Sequence, residues 1–90
     1  MEDSGRTEPD QAIIEVVKML DNGTLEICHG VTMRNGPRPA ITGWTSEPGD
    51  PDFVEFATRH GVTKPGQVST IRKELREGKW TETQEKLGDW

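Results

Sequence analysis

Cys28 and His29 are adjacent, and a thiol with an imidazole can serve as a nucleophile and its base or as metal ligands. Side chains of neighbouring residues in a strand point to opposite faces, so this pair cannot act on one substrate atom there. A structural zinc site needs about four ligands, and His60 is the one further histidine in the sequence. We therefore predict a buried thiol, a partly exposed imidazole and no metal site.

A second candidate is a group of acidic side chains between residues 47 and 55. The spacing of a calcium-binding loop is absent, and two prolines interrupt the segment. The carboxylates suit the start of a helix and solubility. The alternative is a docking surface for a basic protein partner. Its candidate residues are Glu47, Asp50, Asp52 and Trp90, the last because tryptophan is enriched in binding hot spots.

Catalytic signatures are missing elsewhere in the sequence. It contains no glycine-rich phosphate loop, nucleophile elbow, paired-carboxylate motif or histidine-based triad. We therefore predict a protein that is not an enzyme and that requires no cofactor.

The charge of the chain is unevenly distributed. The whole sequence has a formal net charge of −5, yet residues 57–80 hold six basic and two acidic side chains. A basic segment can dock on phosphates even when the chain as a whole is acidic. This segment therefore holds the candidate nucleic-acid-binding residues.

An overlapping stretch, FATRHGVTKPGQVSTIRKEL, resembles the helix-turn-helix of bacterial and phage DNA-binding proteins. The resemblance spans residues 53–78 and rests on Ala57, Gly61 and the pattern Val68-Ser69 followed by Ile71. It implies base-contacting and phosphate-contacting side chains on a second, recognition helix. The base-contacting residues would be Gln67, Ser69, Thr70 and Lys73, and the phosphate-contacting residues Lys64, Arg72, Arg76 and Lys79. The alternative is an ordinary helical hairpin with a solvated basic face.

The segment from Ala12 to Met33 has two interpretations. Ile13, Val16, Val17 and Leu20 have helical spacing, which would make the fold mainly helical. Asn22-Gly23 is instead typical of a two-residue hairpin loop between strands. Pairing Asp21 with Thr24 would place Leu20 opposite Leu25 on a mostly apolar face. We favour the hairpin because it accounts for both halves of the segment.

Further along the chain, the sequence predicts one more strand and two helices. A turn at Asn35-Gly36 precedes a short strand over 40–44, which should lie at an edge because prolines precede it. A helix over 51–60 would be capped by Asp50 and end at Gly61. A second helix over 65–78 follows from the spacing of Val68, Ile71 and Leu75.

Together these elements predict an α+β fold: an N-terminal antiparallel meander of about three strands, followed by a two-helix hairpin. The 90 residues divide into a disordered tail (1–10), one small domain (11–80) and a flexible C-terminal tail (81–90). One cysteine, no long apolar run and an acidic N-terminus predict a reducing, cytoplasmic location without a membrane span.

For function, we expect a small non-enzymatic binding or regulatory module with a basic helical hairpin and a nucleic-acid partner. The alternative is a protein–protein adaptor or inhibitor of viral or bacterial type, acting through its acidic surface.

Overall fold

The computed structural model of the protein describes residues 9–34 and 40–90. Within these ranges, six elements follow in chain order: β1 (Gln11–Met19), β2 (Leu25–Met33), β3 (Ala40–Ser46), α1 (Phe53–His60), β4 (Val68–Arg76) and β5 (Lys79–Leu87). The strands form one antiparallel sheet in the order β3-β2-β1-β4-β5. The connection through α1 therefore carries the chain from the β3 edge to the far side of β1, the central strand.

The hairpin of β1 and β2 is confirmed, but its predicted register is wrong by one residue. Met19 lies opposite Leu25, and Gly23 has φ +86°. The amide of Gly23 donates to the carbonyl of Leu20 (2.9 Å), and the Leu20 amide donates to Thr24 (2.8 Å). The loop thus has three residues and a glycine bulge instead of two residues. A one-residue shift in the pairing moves every side chain of β1 to the opposite face of the sheet. Val17 therefore faces the core, and Leu20 does not.

The third predicted strand is also present, as β3 at one edge of the sheet. It extends to Ser46, two residues beyond its predicted end. The predicted turn at Asn35-Gly36 lies outside the described residues, as do residues 1–8 of the predicted N-terminal tail.

The first predicted helix is present as α1. Its N-cap is Asp52 rather than Asp50, and the Asp50 carboxylate instead accepts a hydrogen bond from the Glu47 amide (2.8 Å). Gly61 ends the helix in the left-handed conformation, with φ +69°. The amide of Val62 then donates to the carbonyl of Ala57 (3.0 Å), which is the expected way to satisfy the last carbonyls of a helix.

The prediction of a second helix is wrong. Residues 68–76 and 79–87 are the strands β4 and β5, joined at Glu77-Gly78, where both residues have positive φ. β4 pairs with β1 from Gln11 to Lys18. A short isolated helix is marginal in water, whereas the free edge of β1 offers a full row of backbone hydrogen bonds.

The predicted α+β fold with a two-helix hairpin is therefore replaced by a mostly β fold with one short helix among the described residues. β5 also occupies most of the segment 81–90 that we predicted to be a flexible tail.

The core lies between α1 and one half of the sheet. Its buried side chains are Val17, Met19, Leu25, Ile27 and Val62, with Phe53, Phe56 and Ala57 packed against them. We call this face of the sheet the helix side. The opposite face, which we call the open side, carries the alternate side chains of each strand, such as Ile14 and Val16. No helix in the described part of the chain is long and apolar enough to cross a membrane.

Candidate functional site

A groove lies on the helix side of the sheet, where the cover provided by α1 ends. It consists of two adjoining cavities of about 310 and 490 Å³ that share Ile13, Lys73 and Glu82. We call it the helix-side groove. Its remaining lining residues are Glu15, His29, Arg59, Ile71, Gln84, Trp80 and Thr81. The groove therefore combines an apolar floor with charged walls of both signs.

One wall of the groove is built on Glu15, in the central strand. Its carboxylate oxygen Oε1 lies 2.7 Å from Nε2 of His60 and 3.1 Å from Nη1 of Arg59. His60 is the last residue of α1 and is completely buried. Arg59 is half exposed and also bonds Glu55 one turn earlier in the helix (2.7 Å). This wall therefore fixes the end of α1 to β1.

The network continues from His60 into β4 and β5. Nδ1 of His60 lies 2.9 Å from the hydroxyl of Ser69. The side-chain amide of Gln84 donates to that hydroxyl (3.0 Å) and to the backbone carbonyl of His60 (3.1 Å). With the imidazole proton on Nε2, His60 donates to Glu15 and accepts from Ser69. Each of these polar groups then has a partner, as burial requires.

The row of Ser69, His60 and Glu15 has the residue types of a hydrolytic triad. A nucleophile must reach its substrate, but Ser69 is completely buried. Its hydroxyl oxygen already accepts from Gln84. The row, together with Gln84, therefore attaches α1 to three strands, and this network gives the groove no accessible nucleophile.

The same network sets the ionisation of Glu15. Partial burial raises the pKa of the carboxyl, but hydrogen bonds from His60 and Arg59 outweigh burial and hold this pKa below its usual value. The charged form of Glu15 is thus stabilised in the folded state.

Acidification should therefore destabilise the protein through Glu15. A carboxyl whose pKa is lower in the folded state stabilises the fold above the unfolded pKa of about 4.3, and this contribution is lost as the pH falls through the folded pKa. We expect Glu15→Gln to lower the free energy of unfolding at pH 7 and to reduce its decline below about pH 4.5. Urea unfolding between pH 3 and 7 measures both effects. Glu47→Gln is the control, because Glu47 is exposed in the loop before α1 and bonds Asp50 through its backbone amide, and this variant should keep the wild-type acid dependence. An equally steep decline in Glu15→Gln would contradict this assignment.

The far end of the groove is apolar. Trp80 lies opposite Leu75 in the β4–β5 pair and lines the groove beside Ile13. Trp80 is 50% exposed. Next to it, Lys73 and Glu82 form a loose, exposed ion pair at 3.9 Å. A large aromatic surface therefore borders charges that a ligand could engage.

The eight residues predicted to contact nucleic acid do not share one face. Gln67 and Ser69 are buried, and Lys73 lies in the helix-side groove. Alternation along the two strands places four of the others on the open side of the sheet. These four are Thr70, Arg72, Arg76 and Lys79. Lys64 lies in the loop between α1 and β4.

The arginines of this set have an internal partner. Arg72 and Arg76 both donate to the carboxylate of Glu74, at 2.8 and 2.5 Å. These hydrogen bonds hold the pKa of Glu74 below its usual value. Part of the basic charge of β4 is thus balanced within the strand.

The acidic residues predicted to bind a partner also make internal contacts. The Asp52 carboxylate accepts from the hydroxyl of Ser46 (2.7 Å) and from Nε1 of Trp44 (3.2 Å), and these bonds lower its pKa. Glu47 and Asp50 lie in the same loop before α1 and bond each other. Trp90 is elsewhere, with its indole NH donating to the carbonyl of Gly61 (2.8 Å). The structure therefore brings the three acids together but not Trp90.

Sequence reasoning missed most of the groove. Glu15 fell within the predicted hairpin and had no role assigned to it, and Glu82 and Gln84 fell within the predicted tail. The alternation of Trp80, Glu82 and Gln84 with threonines is the signal that could have revealed β5. Cys28, predicted to be buried, is exposed. No group of three or more metal-ligating side chains occurs in residues 9–34 and 40–90.

The chain was compared with models of known protein families, with characterised proteins and with solved structures, and none of these comparisons gave a match.

Proposed function

We propose that the protein is a small non-enzymatic binding module that holds a segment of a protein partner in the helix-side groove. The observation that supports this proposal is the half-exposed face of Trp80, which lies beside Ile13 in the groove and opposite Leu75 in the β4–β5 pair. Exposed apolar surface that is rimmed by polar and charged side chains is typical of interaction sites. Tryptophan is among the residues that contribute most to binding energy at such sites.

The charges of the groove favour a protein segment over a nucleic acid. Glu15 and Glu82 are balanced by Arg59 and Lys73 within the same lining. Nucleic-acid binding depends on a basic surface that displaces counterions from phosphates. A groove with paired charges instead suits a peptide whose own side chains carry both signs, because such pairs fix register and orientation.

The hydrogen bonding of the groove favours binding over catalysis. The buried row of Glu15, His60 and Ser69 has its donors and acceptors satisfied within the chain. A rigid wall of this kind presents a fixed shape to a ligand, which reduces the entropy lost on binding.

Site-specific photo-crosslinking tests the proposal. Trp80 is replaced by p-benzoylphenylalanine in cells that make the protein, and Val54 on the outer face of α1 is replaced in a matched control. We expect position 80 to crosslink to one protein and position 54 to give no adduct with it. The crosslinked protein is then purified and its affinity measured by calorimetry. Trp80→Ala should weaken binding by about 2 kcal/mol, or roughly 30-fold.

The control for affinity is Val54→Ala, which should bind as wild type does. Three results would contradict the proposal: equal crosslinking from positions 54 and 80, adducts at position 80 with nucleic acid instead of protein, or unchanged affinity in Trp80→Ala.

A further inference from the structure

The open side of the sheet has an apolar centre formed by Ile14, Val16 and Ile41, with the thiol of Cys28 beside them. Ile41 is 75% exposed, and Cys28 is also exposed. Two glycines shape this surface. A Cβ atom on Gly30 would lie 3.3 Å from Cγ2 of Ile14 and 3.5 Å from Cγ1 of Ile41, so these isoleucines close over Gly30. Gly43 is exposed and leaves a shallow hollow next to Ile41 on β3.

We propose that a second copy of this chain covers the open side, giving a two-fold symmetric dimer with the two sheets face to face. The available area fits such a dimer. Five strands spaced by ~4.8 Å, each up to nine residues long at ~3.4 Å per residue, present roughly 700 Å² per copy. Stable protein interfaces bury about 800 Å² per partner. The open side of the sheet is therefore large enough to form a dimer interface.

The surface is also complementary to itself in shape. Ile41 and Gly43 are two residues apart on β3, so the side chain of Ile41 and the hollow at Gly43 lie on the same face of the sheet. Consider a two-fold axis that lies between the two sheets, perpendicular to the strands and midway between these two positions. This axis places Ile41 of each copy against Gly43 of the other.

The pairing of the strands extends this match to the centre of the sheet. Gly30 lies opposite Ile41, and Cys28 lies opposite Gly43. Along β1, Ile14 lies opposite Gly30, and Val16 lies opposite Cys28. The same axis therefore sets Ile14 against Val16 of the second copy, so both copies bury the same apolar band, as an isologous contact requires.

Charges around the apolar band are complementary under the same axis. Lys18 of one copy approaches Glu74 of the second, because Glu74 flanks Ala12 in the β1–β4 pair. Arg72 approaches Glu85 of the second copy, because Glu85 flanks Thr70 in the β4–β5 pair. Each contact occurs twice in the dimer. The helix-side groove lies on the other face of the sheet, so this dimer is independent of partner binding there.

Sedimentation velocity of the full chain over about 1–200 μM tests the dimer. We expect wild type to shift with concentration from a species of 10.1 kDa to one of twice that mass. Ile41→Lys should raise the dissociation constant at least tenfold, because it places a charge against the hollow at Gly43. Val54→Lys is the matched control, since Val54 is 70% exposed but lies on α1, and it should dimerise as wild type does. Circular dichroism confirms that both variants are folded.

The single cysteine supplies a second measurement on the unmodified protein. Cys28 should react slowly with a thiol reagent at 200 μM protein and faster on dilution, since the second copy covers it. A wild type that stays monomeric to 200 μM would overturn the proposal. Dimers of Ile41→Lys as tight as those of wild type, or a Cys28 reactivity that does not depend on concentration, would overturn it as well.

Discussion

The His60→Ala variant should unfold with a free energy about 3 kcal/mol lower than wild type. The imidazole is completely buried at the junction of α1 with the sheet, and its removal leaves a cavity. The substitution also removes one hydrogen-bond partner from Glu15 and one from Ser69. Lost burial and unsatisfied polar groups each cost about 1–3 kcal/mol. In a domain of this size, such a loss is a large share of the total stability.

Urea denaturation followed by tryptophan fluorescence measures this loss. His29→Ala is the matched control, because His29 lines the groove and is only partly buried. We expect the control to change the free energy of unfolding by no more than about 0.5 kcal/mol. Equal losses in the two variants would show that the buried network contributes little to stability.

A loss of about 2 kcal/mol is expected for Gln67→Met. Gln67 is 1% exposed, and its carbonyl oxygen accepts the backbone amides of Thr63 (2.7 Å) and Lys64 (3.0 Å). Its NH2 group donates to the carbonyl of Asp89 (2.7 Å). Methionine keeps most of the volume but offers none of these bonds, so buried amides lose their acceptor.

Gln67→Glu tests the donor of this side chain separately. Glutamate keeps an oxygen acceptor for the two amides, but it points a second oxygen at the Asp89 carbonyl and buries a charge, so the loss should be at least as large as in Gln67→Met. Urea unfolding measures the free energies, and limited proteolysis reports whether the residues after β5 detach. A Gln67→Met variant as stable as wild type would contradict this role for the side chain.

The parts of the fold that depend on local signals were predictable from the sequence. Asn22-Gly23 marks the β1–β2 hairpin, and Gly61 ends α1 where it was expected. The register was not predictable in the same way. Asn-Gly is compatible with a two-residue loop and with a three-residue loop that ends in a bulge. The choice between them depends on which residues the helix must cover.

The parts that depend on distant pairing were not predictable. Val68, Ile71 and Leu75 have helical spacing, and the segment around them is rich in residues that favour helices. Its pairing with β1 overrides that tendency. The wall of the groove escaped prediction for the same reason, since Glu15 meets His60 only after the chain has crossed the sheet.

The central position of β1 has a consequence for synthesis of the chain. One edge of β1 pairs with β2 at once, but the other waits for β4, which begins at Val68, about 50 residues after Lys18. At 5–20 residues per second, translation leaves that edge open for roughly 3–10 s. The edge is rich in isoleucine and valine, and unpaired edges of this type recruit strands from other chains. Nascent chains that end before β4 should therefore aggregate on crowded ribosomes, and slower initiation or cooling during expression should raise the yield of folded protein.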